Sequence, residues 1–139
     1  MSSKAEIAAT IRDCYAARQR NDGEAALAFF HPDVRFRIAG SPLLEPLTDT
    51  IVGLEALRPA LARMVIDWDW SQFLVTSVVV DGETAVIHSS GRMKHLPSGI
   101  ALQTETLDKL GFQDGKIIEF VEFADTFAVS QLLSLGGGR

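Results

Sequence analysis

Apolar positions in the first half of the chain recur at helical spacing. Ile7, Ile11 and Cys14 with Tyr15 form one stripe of a segment over about 3–20, opened by Ser3 and Glu6 as a capping box. A second, shorter helix is predicted over about 22–30. Asn21 and Glu24 supply its capping box, and Ala25, Leu27, Phe29 and Phe30 its apolar surface. Pro32 stops it, because proline has no amide hydrogen to give the helix. Residues 34–38, VRFRI, alternate as a strand does, with Arg35 and Arg37 opposite Val34, Phe36 and Ile38. A third helix is predicted over about 53–65, with Pro59 in its first turn or at a kink.

The second half changes period. Strand patterns run over about 70–80, 84–96, 100–112 and 115–126, separated by Asp81-Gly82, Pro97-Ser98-Gly99 and Asp114-Gly115. A short helix near 127–134 follows. Helices first and an antiparallel meander after predict an α+β fold, with helices packed on one face of a mainly antiparallel sheet. One domain over 1–135 is expected, with 136–139 as a loose tail. The last strand, in DGKIIEFVEFADTF, is mostly apolar on both faces, with carboxylates set into each. The chain's own helices cover one face; a second copy of the chain, in a homodimer, is the expected cover for the other.

Charge narrows the partners. The net charge of −5 and the lack of a basic run argue against nucleic acid. No apolar run is long enough to span a membrane, and the opening MSSKAEIAATIRD lacks the apolar core of a signal peptide. Cys14, a single cysteine, excludes an internal disulfide, so a reducing cytoplasm is the expected location. His31, His88 and His95 have no metal-ligand spacing, and no metal or cofactor is expected.

Two-residue turns would pair Gln113 with Lys116, Pro97 with Ile100 and Val80 with Glu83. Asp125, Thr104, Met93 and Trp70 then form one row of a mixed apolar–polar face. Phe123, Thr106, Gly91 and Gln72 form the next, and Val121, Asp108, Ser89 and Leu74 a third. Such a face suits a pocket for a small, largely apolar organic molecule. The opposite face would carry Ile118, Phe120 and Ala124 into the dimer seam, with Arg92 beside Glu105. Asp125 is open to two readings: a pocket acid, or the N-cap of the helix that follows it.

The stretches RNDGEAALAFFHPDVRF (20–36), IVGLEALRPAL (51–61) and FQDGKIIEFVEFADTF (112–127) resemble the nuclear-transport-factor-2-like superfamily, most closely its SnoaL-like group, named for polyketide cyclases. The resemblance implies a conical, cystatin-like fold of three N-terminal helices against a curved sheet, often dimeric through the convex face. It also implies a choice of chemistries. In the ketosteroid isomerase pattern, Tyr15 corresponds to a tyrosine that polarises a carbonyl and Asp108 to an acid kept protonated by apolar neighbours. The shuttling acid of that pattern falls at Ile38. In the epoxide hydrolase pattern an acid falls at Asp125, but the partner arginine and aspartate fall at Ser89 and Gly91. Two functions follow: an acid–base enzyme of isomerase, cyclase or dehydratase type using Asp125, Tyr15 and Asp108, or a ligand-binding or dimerisation module without catalysis.

Overall fold

The computed structural model describes residues 2–136. Helix α1 spans Lys4–Gln19 and begins at the predicted capping box, with both reciprocal Ser3–Glu6 bonds formed. It buries Ile7, Ile11, Cys14, Tyr15 and Ala17. Helix α2, Gly23–Leu27, is shorter than predicted. Asp22 caps it through the Ala25 amide at 3.0 Å, while Asn21 takes a left-handed turn with φ 60°. Phe30 already belongs to strand β1, Phe30–Ile38, which contains Pro32. A 3-10 turn at Pro42–Leu44 and the two-residue strand β2, Ile51–Val52, lead to helix α3, Leu54–Asp67. Pro59 lies inside α3. Strands β3 (Trp68–Asp81), β4 (Thr84–His95), β5 (Ile100–Gln113) and β6 (Lys116–Phe123) form the meander, and helix α4 runs Thr126–Gly136. Of the predicted tail, Gly136 closes α4 and residues 137–139 lie outside the described residues.

The sheet order is β2-β1-β6-β5-β4-β3. Every pairing is antiparallel except β1 with β6. The β1–β6 register slips between Phe30 and Arg35, around Pro32, which has no amide to give the ladder. Helices α1 and α2 and the start of α3 fill the concave face. Their core joins Ile7, Ile11, Leu57, Phe36, Phe120, Ile87 and Leu110. A second cluster, Trp68, Trp70, Phe73 and Met93 with Leu132 of α4, closes the other end.

Departures from the two-residue-turn register decide which side chains face inward wherever they amount to one residue. The β4–β5 turn holds four residues, because His95 rather than Pro97 faces Ile100; a slip of two residues leaves the faces unchanged. The β5–β6 register shifts by one between Gly111 and Phe112, and a one-residue shift exchanges the faces beyond it. Phe120 and Glu122 therefore turn inward, and Glu119, Val121 and Phe123 turn to the convex side. Two irregularities in β3, between Val75 and Ser77 and between Asp69 and Gln72, exchange the faces of the stretch between them: Phe73 goes in and Gln72 goes out. Gly91 serves this crossing. Its φ is +139°, and a Cβ on it would stand 2.1 Å from the Gln72 carbonyl oxygen, so only glycine fits.

The expected dimer seam changes accordingly. Phe120 is a core residue, and Ala124 lines a cavity under the mouth of the cone. Arg92 faces Gln103, not Glu105. Glu105 instead bonds His88 Nε2 at 2.7 Å, and the His88 ring also meets the Thr76 hydroxyl.

Candidate functional site

The site is assembled from α1 and the two strands beneath it. Tyr15 and Arg18 lie three residues apart on α1, so both present to the same side. Asp108 of β5 and Glu122 of β6 are direct cross-strand partners on the concave face. The Tyr15 hydroxyl donates to Asp108 Oδ2 at 2.6 Å, wholly inside the protein. The Arg18 guanidinium is held among rings, 4.6 Å from the centre of Tyr15, 4.5 Å from Trp70 and 5.6 Å from Phe73.

Two adjoining cavities, sharing part of their walls, lie beside these groups. An inner chamber of about 40 Å³ is walled by Phe30, Phe36, Leu61, Trp70 and Phe120, and its only polar side chains are Tyr15, Arg18 and Glu122, beside the Cys14 thiol. An outer chamber of about 270 Å³ leads to the mouth, between α3, α4 and the loop carrying Pro46 and Leu47. Trp68, Trp70 and Met93 line it, and Asp49 with an Arg63–Asp67 ion pair of 3.2 Å stands at its wall. Glu122, Trp70, Met64 and Phe36 border both chambers, so Glu122 stands where the two meet.

Burial sets the charge states. It pushes the Tyr15 hydroxyl well above its ordinary value, and the Asp108 charge adds to this. Burial raises Asp108 too, opposed by Arg18 and by the hydrogen bond from Tyr15. Glu122 is pushed up to about 8, first by burial and then by the Asp108 charge, against the pull of Arg18. Two carboxyls side by side in an apolar setting cannot both ionise cheaply, so they hold one proton between them. That proton rests on Glu122, since Asp108 accepts from Tyr15 and keeps the charge. With Arg18 the group is close to neutral: one cation, one anion and one neutral acid.

A family model described as the SnoaL-like domain matches residues 11–120. The chain belongs to the SnoaL-like family. Solved structures share its fold. A nuclear-transport-factor-2-like protein of unknown function from Burkholderia pseudomallei is 22% identical with a TM-score of 0.78, over 96% of this chain and 99% of that one. A candidate isomerase from Bacillus subtilis is 16% identical with a TM-score of 0.83, over 100% and 98%. TerC, crystallised with polyporic acid, is 20% identical with a TM-score of 0.76, over 93% and 98%. No curated protein matches the chain.

In this SnoaL-like chain the residues singled out from sequence separate into two groups. Tyr15 and Asp108 meet in one hydrogen bond, and Trp70 and Met93 line the chambers. Thr104 and Thr106 lie on the inward side of β5 without lining either chamber. Gln72 is exposed on the convex side beside Arg92. Phe123 is 51% exposed there, not in the pocket. Asp125 caps α4, accepting from the Ala128 amide at 3.1 Å, and is exposed. Two residues of the site were not anticipated. Arg18 carried a signal, being one turn beyond Tyr15. Glu122 carried a weaker one: Gly111, a glycine inside a strand pattern, marks a place where register slips.

Proposed function

We propose that this SnoaL-like protein is an acid–base enzyme of the isomerase or cyclase type, acting on a small, largely apolar molecule that carries a carbonyl group. Glu122 is the group that moves the proton. The observation that supports this is its position: an acid with a pKa near 8, at the junction of two apolar chambers, opposite a buried carboxylate. A general base works best with a pKa near the working pH. Asp108 fixes the position and proton affinity of Glu122, and Tyr15 holds Asp108. Arg18, the cation of the inner chamber, would polarise a carbonyl oxygen and balance the negative charge that develops as Glu122 removes the neighbouring carbon-bound proton. The aromatic walls supply the apolar contact.

The test needs no knowledge of the natural substrate. Exchange of the carbon-bound protons of 2-tetralone in heavy water, followed by proton NMR, reports proton abstraction directly. The protein should accelerate the exchange, and Glu122→Gln should lose about 10²–10⁴-fold. Unaltered exchange in a folded Glu122→Gln variant would remove Glu122 from the role. Saturable ketone binding with no exchange at all would favour a binding module.

A further inference from the structure

Five buried side-chain polar atoms among the described residues have no hydrogen-bond partner, and three of them come from one patch: Ser89 Oγ, Thr106 Oγ1 and Asp108 Oδ1. Ser89 and Thr106 are direct partners across β4 and β5, and Asp108 lies two residues along β5 on the same face. Ser89 and Asp108 are 0% exposed and Thr106 is 5% exposed. Directly opposed side chains have Cβ atoms about 4.5–5.5 Å apart, and diagonal ones less than about 8 Å, so the three side chains are neighbours in one patch of the sheet. None of the three lines the inner or the outer chamber, so a ligand entering by the mouth is not their partner. Buried hydroxyls and carboxylates of this kind are completed by internal water, which typically makes about three hydrogen bonds.

We propose that Ser89, Thr106 and Asp108 form a binding site for one structural water, behind the wall of the inner chamber. The hydrogen bonds balance. The water donates to Asp108 Oδ1 and accepts from the Ser89 and Thr106 hydroxyls, three hydrogen bonds in all. Asp108 then accepts from the water at Oδ1 and from Tyr15 at Oδ2, which holds it as the ionised member of its pair. Ser89 and Thr106 thereby become positioning residues for the proton on Glu122. Other groups facing Asp108 are Cys14 and Arg18 of α1 and Glu122 of β6, while β4 presents Ile87 and Ser89. The water site stands whether or not Glu122 is a catalyst, and its test does not use turnover.

An atomic-resolution crystal structure of the wild-type protein should show one ordered water within about 3 Å of the three oxygens. Carboxyl titration by carbon-13 NMR supplies the second arm. In Ser89→Ala and Thr106→Val the water should be lost and the proton should move toward Asp108, so that Glu122 titrates lower than in the wild type by about half a unit or more. Thr106→Ser, which keeps the hydroxyl, should restore both. The proposal falls if the wild-type structure shows the three oxygens bonded to protein groups instead, or if folded variants titrate as the wild type does. Should neither variant fold, the wild-type crystal structure decides alone.

Discussion

Glu122 makes stability depend on pH in the opposite sense to an ion-paired acid. The ordinary value for the side chain is 4.5, and the folded protein pushes it up to about 8. Between these values the native state keeps a proton that the unfolded chain has released. Stability therefore falls as pH rises through the window and levels off above about 8, while the contribution is intact below the unfolded value. One full proton corresponds to about 1.4 kcal/mol per pH unit, so the two units from about pH 6 to about pH 8 are worth about 2.7 kcal/mol. Asp108 shares the titration, and Glu122 is only partly shielded from solvent, which brings the expected loss to about 2 kcal/mol. Glu122→Gln isolates this term. The amide has nearly the shape of the protonated acid and cannot ionise. At pH 6 the unfolded wild type has already released its proton, so the change is what counts: between about pH 6 and about pH 9 the variant should gain about 2 kcal/mol on the wild type. Urea unfolding at both pH values measures this directly. A difference between the two proteins that stays constant to within about 0.5 kcal/mol would show that Glu122 is an ordinary carboxylate, and the proton-transfer role would lose its basis.

Four further outcomes are expected. Proton exchange catalysed by ionised Glu122 should rise about tenfold per pH unit below neutrality and level off above about 8, the value to which its carboxyl is raised; a flat rate from about pH 6 to 9 would refute the assignment. Tyr15→Phe leaves a buried Asp108 oxygen without its 2.6 Å donor and should cost about 1.5–3 kcal/mol in chemical unfolding. Gly91→Ala would place a Cβ 2.1 Å from the Gln72 carbonyl oxygen and should destabilise by more than about 3 kcal/mol, seen as a large drop in Tm. We also propose that a second copy covers the convex face, where Leu107 and Phe123 are cross-strand partners left 43% and 51% exposed. Sedimentation should give a dimer, and Phe123→Glu should give a monomer.

Element order was legible because local chemistry announces it. The Ser3–Glu6 box starts α1, and Asp81-Gly82 and Asp114-Gly115 sit at the first and last tight turns of the meander. Facing was legible only where no register shift intervened. On β4 and β5 the alternation places Ser89, Met93, Thr106 and Asp108 inward as the pattern requires. Past the β5–β6 slip, the same alternation exchanges Glu122 with Phe123. A single extra residue is invisible in a period-two pattern that is apolar on both faces, since either assignment buries about as much surface. Asp125 misled for a related reason: the sequence Phe-Ala-Asp-Thr serves a cap and a pocket acid equally well, and only the sheet's register tells them apart.

That slip also builds the site. With the hairpin's starting register continued, Asp108 would face Val121, and Glu122 would point to the convex side among Lys109 and Arg37. The bulge instead sets two carboxyls opposite each other under an apolar roof. Like charges directly opposed across a sheet destabilise it, and burial adds to the cost. The neighbours on the concave face show what packing alone would select, for Phe36 and Phe120 stack at 4.8 Å beside Glu122. An apolar side chain at this position would extend that stack and remove the penalty. The fold thus carries Glu122 against its own stability, while a neighbouring tyrosine and arginine hold the pair in a defined charge state. Perturbed acids kept under such conditions concentrate where proton transfer is performed. The register shift, which looks like an irregularity of the hairpin, is on this argument the feature that converts an apolar cone into a candidate active site.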